Sequence, residues 1–119
     1  MDTTARTTSW TDLPVDHPMN GIDRRRLIGE RCMISHVTLH TGFRLEPHRH
    51  AHEQIALIES GRVRFTLGEG DATRVVELGP GEILHLPPEV LHGAEALETS
   101  VVLDVFSPPS QSTGVDREA

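Results

Sequence analysis

The sequence predicts an all-β fold, a small barrel or sandwich in one domain, on three observations. Apolar and polar residues alternate with a period near two from Arg26 onward. Short stretches of this kind recur at roughly ten-residue spacing, separated by turn signals such as GPG and PPE. No stretch combines helical periodicity with helix caps. A chain of 119 residues can bury a sufficient core without disulfides, and its single cysteine offers no disulfide framework.

The elements follow in order from a polar amino-terminal segment. Residues 1–22 are predicted to form a loose tail and an irregular lead-in, because LPVDHPMNG carries two prolines and an Asn-Gly pair. The barrel is predicted to span residues 23–107 and to contain about six to nine short strands. Residues 108–119 are polar and contain proline, and they are predicted to form a C-terminal tail.

Two stretches show the alternation most clearly. In CMISHVTLH, one face of the predicted strand carries Met33, Ser35, Val37 and Leu39. In GRVRFTLG, apolar residues alternate with arginine and threonine, which indicates a strand with one face in water. GEGD follows as a hairpin signal. Further short strands are predicted in TRVVEL, EILHLP and TSVVLDVF.

Composition excludes several classes of function. The net charge is −7, and the only basic cluster, Arg24–Arg26, is too short to form a nucleic-acid-binding surface. No apolar run approaches the roughly 18 residues of a membrane span, and the first residues lack a signal-peptide pattern. We therefore expect a cytoplasmic protein with no nucleic-acid or membrane partner. Cys32 is expected to be a buried, reduced thiol.

The stretch EPHRHAHEQ indicates a metal site. His48 and His50 are two positions apart, so on an extended strand their imidazoles project from the same face and suit two neighbouring ligands of one ion. A tight turn after His50 would let the amide oxygen of Gln54 face the same point. The leading candidate for a fourth ligand is His92, where two prolines in LPPEVLH stiffen the preceding turn.

Two motifs that contain these residues resemble those of the cupin superfamily. The first appears here as Gly42, His48, His50, Gln54 in place of the usual glutamate, and Gly61. The second appears as Gly81, Pro87, Glu89 in place of the usual glycine, and His92. The resemblance implies a small jelly-roll β-barrel that binds one divalent transition metal ion, zinc, nickel, iron or manganese. Its implied ligands are His48, His50, Gln54 and His92.

The glutamine changes the chemistry expected of such a site. Three imidazoles and an amide are neutral, so a divalent ion would keep its full charge and act as a stronger Lewis acid. The same set lacks the anionic ligand that many iron oxygenases use.

Four further residues are candidates for the pocket that binds substrate. His52 lies in the presumed turn, and we expect it at the mouth of the site or beside the ligands rather than on the ion. His85 lies in the middle of a strand, as an ordinary half-buried residue or as part of the pocket wall. Ile58 and Leu84 are candidates for an apolar wall.

A second resemblance concerns LDVFSPP. This stretch is similar to the terminal motif of small cupins that linearise unsaturated monouronates in pectin and alginate breakdown. The resemblance implies that Asp104 and Phe106 line the active site, and strand parity puts both on one face with Val102. The motif usually continues with an arginine suited to a substrate carboxylate, whereas this sequence has Ser110.

These observations favour a metal-dependent enzyme that isomerises or ring-opens a small oxygenated substrate such as an unsaturated uronate. Asp104 is the predicted proton-transfer group. Three alternatives stay open: a polyketide-type cyclase, a metal-dependent dioxygenase, and a non-catalytic cupin that binds a small ligand. Small cupins commonly dimerise, so we expect a homodimer.

Overall fold

The computed structural model describes residues 4–109, which form two antiparallel β-sheets around one core. Within this range the only helices are two single 3₁₀ turns, Trp10–Asp12 and Gly70–Ala72. The strands are β1 Ile22–Ile28, β2 Met33–Leu39, β3 Arg44–His48, β4 Glu53–Ser60, β5 Val63–Leu67, β6 Arg74–Leu78, β7 Ile83–Leu86, β8 His92–Ala96 and β9 Ser100–Ser107. The all-β prediction is confirmed.

The two sheets exchange strands in a jelly-roll arrangement. One sheet has five strands in the order β1-β2-β9-β4-β7, and the other has four in the order β3-β8-β5-β6. β3 and β4 are consecutive in the chain but lie in different sheets, and the same is true of β7 and β8. Each of the two histidine motifs therefore includes a crossing of the chain from one sheet to the other.

The core lies between the two sheets. β2 and β5 bury every second residue, as the alternation in the sequence predicts. The inward side chains form one apolar cluster. Its buried members are Ile22, Val37, Leu39, Phe43, Ala56, Ile58, Val63, Phe65, Leu67, Leu86, Ala96 and Val102.

The turn from β4 to β5 requires glycine. Gly61 has a φ of +88°, and a Cβ at this position would collide with the side chain and backbone of Ser100. The hydroxyl of Ser100 is fully buried and accepts a hydrogen bond of 3.0 Å from the amide of Arg62. The last glycine of the first motif thus lets the start of β9 pack directly against this turn.

The lead-in, residues 13–21, is irregular but packs against the barrel, and Trp10–Asp12, within the stretch expected to be loose, forms a 3₁₀ turn. Asp16 and Arg24 exchange two backbone hydrogen bonds of 2.8 and 2.9 Å. The guanidinium of Arg25 donates to the carbonyl oxygens of Trp10 and Leu13, at 2.9 and 2.7 Å. The lead-in therefore docks through backbone hydrogen bonds in addition to side-chain contacts such as that of Met19 with the core, and hydrophobic periodicity does not reveal the backbone contacts. β1 begins at Ile22 and β9 ends at Ser107, beside the predicted limits of the barrel.

Cys32 is exposed, which corrects the prediction of a buried thiol. The residue lies in the turn just before β2, so it does not take part in the alternation that buries Met33 and its successors. Among the described residues, no helix has the length and apolar character needed to span a membrane. Ser110 and most of the predicted C-terminal tail lie outside the described residues.

Candidate metal centre

Three histidines converge at one end of the barrel. His48 ends β3 and His92 begins β8, and these two residues are direct partners in the pairing of the two strands. His50 follows in the loop that leads to β4. The ring of His92 lies 4.4 Å from that of His48 and 4.9 Å from that of His50, between centroids. One nitrogen of each ring lies within 4.8 Å of the others, close enough for all three to bind one ion.

Backbone carbonyls orient the three rings. The Nδ1 atoms of His48, His50 and His92 lie 3.2, 3.0 and 2.9 Å from the carbonyl oxygen of a residue two positions away. A carbonyl oxygen only accepts hydrogen bonds, so each Nδ1 carries the hydrogen and each neutral ring keeps its lone pair on Nε2. This is the arrangement by which proteins commonly fix metal-binding histidines.

Gln54 completes the cluster as a fourth donor. Its amide nitrogen donates to a carboxylate oxygen of Asp104 at 2.9 Å, which turns the amide oxygen toward His50. That oxygen lies 3.1 Å from Nε2 of His50. An amide oxygen and an unprotonated Nε2 are both acceptors, so their approach is favourable when both face a cation. The residues present therefore fit a divalent metal ion.

Burial keeps the ring of His92 neutral. It lowers the pKa of His92 to about 4, with the neighbouring His48 and His50 as further causes in the same direction. Burial also lowers the pKa of His52, with His50 as a second cause. Neutral imidazoles are the form that binds a metal, so His92 is ready to bind near pH 7.

Asp104 lines a cavity of about 70 Å³ beside the cluster. His48, His92, Gln54 and Phe106 line the same cavity, together with apolar side chains from both sheets. Burial raises the pKa of Asp104 to about 6, although the hydrogen bond from Gln54 acts in the opposite direction. A carboxyl group in this setting exchanges a proton near neutral pH, as a general acid or base must.

His52 lies next to the cluster. Its ring centroid is 5.4 Å from that of His50 and 6.4 Å from that of Phe106. Its Nδ1 is buried and has no hydrogen-bond partner among residues 4–109. The part of His52 in binding substrate stays a prediction, as do those of the four proposed ligands, Asp104 and Phe106.

Three of the predicted pocket residues do not line the cavity. His85 points out of the barrel, where its Nε2 lies 2.7 Å from a carboxylate oxygen of Glu53. The reason is parity, because a strand that turns Leu84 inward must turn His85 outward. Ile58 is fully buried and Leu84 packs beside it, both in the apolar core. The assignment of these residues to the pocket is therefore corrected.

The sequence reading missed two polar residues of the cavity wall, Arg24 and Ser35. Arg24 is only 3% exposed and forms a two-point ion pair with Asp16, at 3.0 and 2.7 Å. Ser35 is 1% exposed. Ser35 could have been found from the sequence, because it interrupts the otherwise apolar face of β2. No sequence pattern indicates that Arg24 pairs with Asp16.

The turn before His92 is tied to the loop that carries His50. Glu89 has a φ of +68°, in the left-handed region that favours glycine, at the position where the second motif usually has glycine. Its amide donates to the carbonyl oxygen of His50 at 2.9 Å. The unusual backbone conformation thus joins the two motifs beside the histidines.

Comparison with known proteins agrees with this geometry. Residues 35–106 match the family model described as Cupin domain. No curated protein matches the chain. Among solved structures, KdgF from a Halomonas species is 29% identical, with a TM-score of 0.80 over 91% of this chain and 97% of that one.

Two more distant structures share the fold. An RmlC-like cupin from Shewanella frigidimarina is 20% identical, with a TM-score of 0.81 over 93% of this chain and 97% of that one. The oxalate decarboxylase of Lactobacillus farciminis is 20% identical, with a TM-score of 0.80 over 94% of this chain and 36% of that one. The family model covers more than half of the sequence, including all four proposed ligands, and the chain belongs to the cupin family.

Proposed function

We propose that this cupin is a metal-dependent isomerase that opens or tautomerises a small oxygenated substrate such as an unsaturated uronate. One observation carries the proposal. The carboxyl group of Asp104 lies in a largely apolar cavity, and the amide of Gln54 links it to the histidine cluster. A proton-transfer group and a set of neutral metal donors thus line one small space.

The proposed ligands are His48, His50, Gln54 and His92. Imidazole and amide donors suit zinc, nickel, iron and manganese, so the donor set does not select one of these metals. When bound, the ion would polarise an oxygen of the substrate as a Lewis acid. The three carbonyl contacts and the Gln54–Asp104 hydrogen bond hold the donors in position for this task.

Asp104 is proposed to move the proton. An isomerisation of this kind takes a proton from one substrate atom and returns it to another, with no net oxidation or reduction. A carboxyl group with a pKa of about 6 is populated in both protonation states near neutral pH, so it can act in both steps. Phe106 is only 5% exposed and covers one side of the cavity with an apolar ring.

The uronate is proposed as the substrate because LDVFSPP resembles the terminal motif of uronate-linearising cupins. KdgF from a Halomonas species, which is 29% identical, shares the single-domain cupin fold. The other two structures are more distant and support only the fold. Ser110 stands where the motif usually has arginine, so the substrate's acid group must be recognised by other residues.

Turnover of an unsaturated monouronate by the untagged protein, loaded with zinc or nickel, tests this proposal. We expect activity to persist without oxygen, because a Lewis-acid isomerase needs neither dioxygen nor a redox-active ion. Asp104→Asn should keep the metal and the fold but lose about 10²–10⁴-fold in kcat, as is usual for a general acid–base group. Glu53→Gln, the same change on the outer face of β4, is the matched control and should stay active.

The contrary result is equally specific. Turnover that depends strictly on iron and dioxygen, with Asp104→Asn nearly as active as the parent, would establish the oxygenase alternative.

A further inference from the structure

Register in the five-stranded sheet puts three polar residues in one cross-strand row. Arg26 of β1 is paired with Ser35 of β2, and Ser35 is paired with Asp104 of β9. Paired residues of antiparallel strands project from the same face, with Cβ atoms about 5 Å apart. Ser35 and Asp104 both line the cavity, so the face that carries this row is the inner one.

Two of these residues carry buried polar atoms that lack hydrogen-bond partners among residues 4–109. They are the hydroxyl oxygen of Ser35 and Nη1 of Arg26. Ser35 is 1% exposed, so its hydroxyl has lost its contact with bulk solvent. Buried polar groups are almost always hydrogen-bonded, and a buried guanidinium nitrogen without a partner is especially unfavourable. Two such donors, adjacent in one row, indicate a ligand that accepts hydrogen bonds from both.

The neighbouring charges favour an anion. Asp16 forms close hydrogen bonds with Arg24, whereas its contact with Arg26 is long, at 3.5 Å. The side chain of Asp16 is 46% exposed, so solvent screens its attraction for Arg26. Arg26 therefore has a weakly compensated charge and a buried donor on the inner face of the sheet.

We propose that Arg26 and Ser35 form a subsite for a carboxylate group, so that the substrate of the metal centre is a small organic acid. The role of this subsite in turnover rests on the proposed function, but its ability to bind an acid does not. A guanidinium and a hydroxyl can each donate to a carboxylate, which has two acceptor oxygens. The acid group would lie at the Arg26 end of the row, and the rest of the molecule would extend past Asp104 toward the histidines.

The experiment compares lactate with propane-1,2-diol, which has the same carbon skeleton and the same 2-hydroxyl but carries a second hydroxyl in place of the carboxylate. Both are titrated by NMR into chelator-treated protein, so that neither metal binding nor turnover is needed. We expect saturable binding of lactate, with shifts at the Ser35 amide and the Arg26 Nε, and at least tenfold weaker binding of the diol.

Three variants test the residues. Arg26→Met should weaken lactate binding about tenfold or more, since it removes a charged hydrogen-bond donor. Ser35→Ala should weaken it about two- to tenfold, since it removes a neutral one. Arg74→Met makes the same chemical change at an exposed arginine that begins β6, and it should leave binding unchanged.

Ser35→Ala also provides the test if Arg26→Met does not fold. Equal binding of lactate and the diol, no binding of either, or unchanged lactate affinity in Ser35→Ala would overturn the subsite. Such outcomes are expected if an ordered water molecule, rather than a carboxylate, accepts hydrogen bonds from Arg26 and Ser35. Failure of the proposed function is separate, because it would show as absent turnover in a protein that still binds lactate.

Discussion

The two faces of the five-stranded sheet come from the same strands but have opposite chemistry. On the inner face, Gln54 and Asp104 contact each other beside the histidine cluster. On the outer face, their chain neighbours Ile55 and Val105 are paired with each other and are 42% and 38% exposed. One step along a strand therefore separates a polar site from an apolar surface.

The contrast shows that strand parity decides which residues can act together. His85 lies within the span of the second motif, yet it is paired with Ile55 on the outer face. His85 is a candidate for the pocket by residue type. Its position in the alternation of the strand puts it on the outer face, away from the pocket. The same contrast supplies matched controls, because each inner residue has an outer counterpart nearby.

The largest expected effect is the loss of metal from variants of the histidine cluster that lies beside the inner face. His50→Ala should abolish metal retention, because imidazole is a strong donor and the remaining ligands leave the ion incompletely held. Gln54→Ala should only weaken retention, since an amide oxygen is the weaker donor. His85→Ala is the outer-face control and should keep the parent stoichiometry.

The metal content of each variant is measured by elemental analysis of protein purified without a histidine tag. Full occupancy in a His50→Ala, His92→Ala double variant would remove the basis of the metal assignment.

Substitutions on the outer face should change the oligomeric state of the protein rather than its metal content. We expect the chain to form a two-fold dimer through this face, which requires a surface that is complementary to itself. Its centre is apolar, with Ile55 paired to Val105 and with Ile83 63% exposed opposite Leu57, and Glu53 and His85 flank it. Ile55→Asp should convert a dimer to a monomer, measured by light scattering after size exclusion.

A matched substitution controls for the general effect of an added charge. Val75 is 57% exposed on β6 of the other sheet, and Val75→Asp should leave the mass unchanged. A parent chain that is monomeric at high concentration would contradict the expected dimer.

A smaller effect concerns the acid stability of the metal-free chain. The pKa of His92 is about 4 in the fold and ordinarily 6.5, so the unfolded chain takes up this proton first. Stability from His92 is complete above pH 6.5 and falls by about 3 kcal/mol toward pH 4. The pKa of Asp104 is raised from 3.8 to about 6, so the folded chain takes up that proton first. Asp104 therefore adds about 3 kcal/mol of stability as the pH falls through the same interval.

The two contributions nearly cancel in the parent protein but not in Asp104→Asn. Urea unfolding of chelator-treated protein at pH 6.5 and pH 4.5 should show a steeper loss of stability in the variant. Equal losses in the two proteins would mean that Asp104 does not titrate in this range.

The part of the candidate site that the sequence predicts depends on short spacing. The two-residue step from His48 to His50 and the parity of Asp104 with Phe106 are local patterns, and the structure places all four residues around one space. The clear alternation of β2 and β5 likewise predicts which residues form one face of each strand, and these residues face the core.

The unpredicted part of the site depends on contacts between distant segments. β1 has arginine at three consecutive positions, so its alternation does not show which arginines face inward. The inward position of Arg24 depends on its pairing with Val37 and on its ion pair with Asp16. Cys32 is exposed rather than buried because the general tendency of cysteine to be buried does not apply at a hairpin turn.

The proposed ligands come from both sheets, with His48 and His92 at the ends of β3 and β8 and Gln54 on β4. An ion that binds only this folded arrangement would couple the unfolding equilibrium of the barrel to the free metal concentration. At a hundred times the dissociation constant, such coupling contributes about 2.7 kcal/mol to the free energy of unfolding. The melting temperature of the parent chain should therefore rise with added zinc, while that of His50→Ala should not. A cell's supply of metal would then influence how much of this protein is folded.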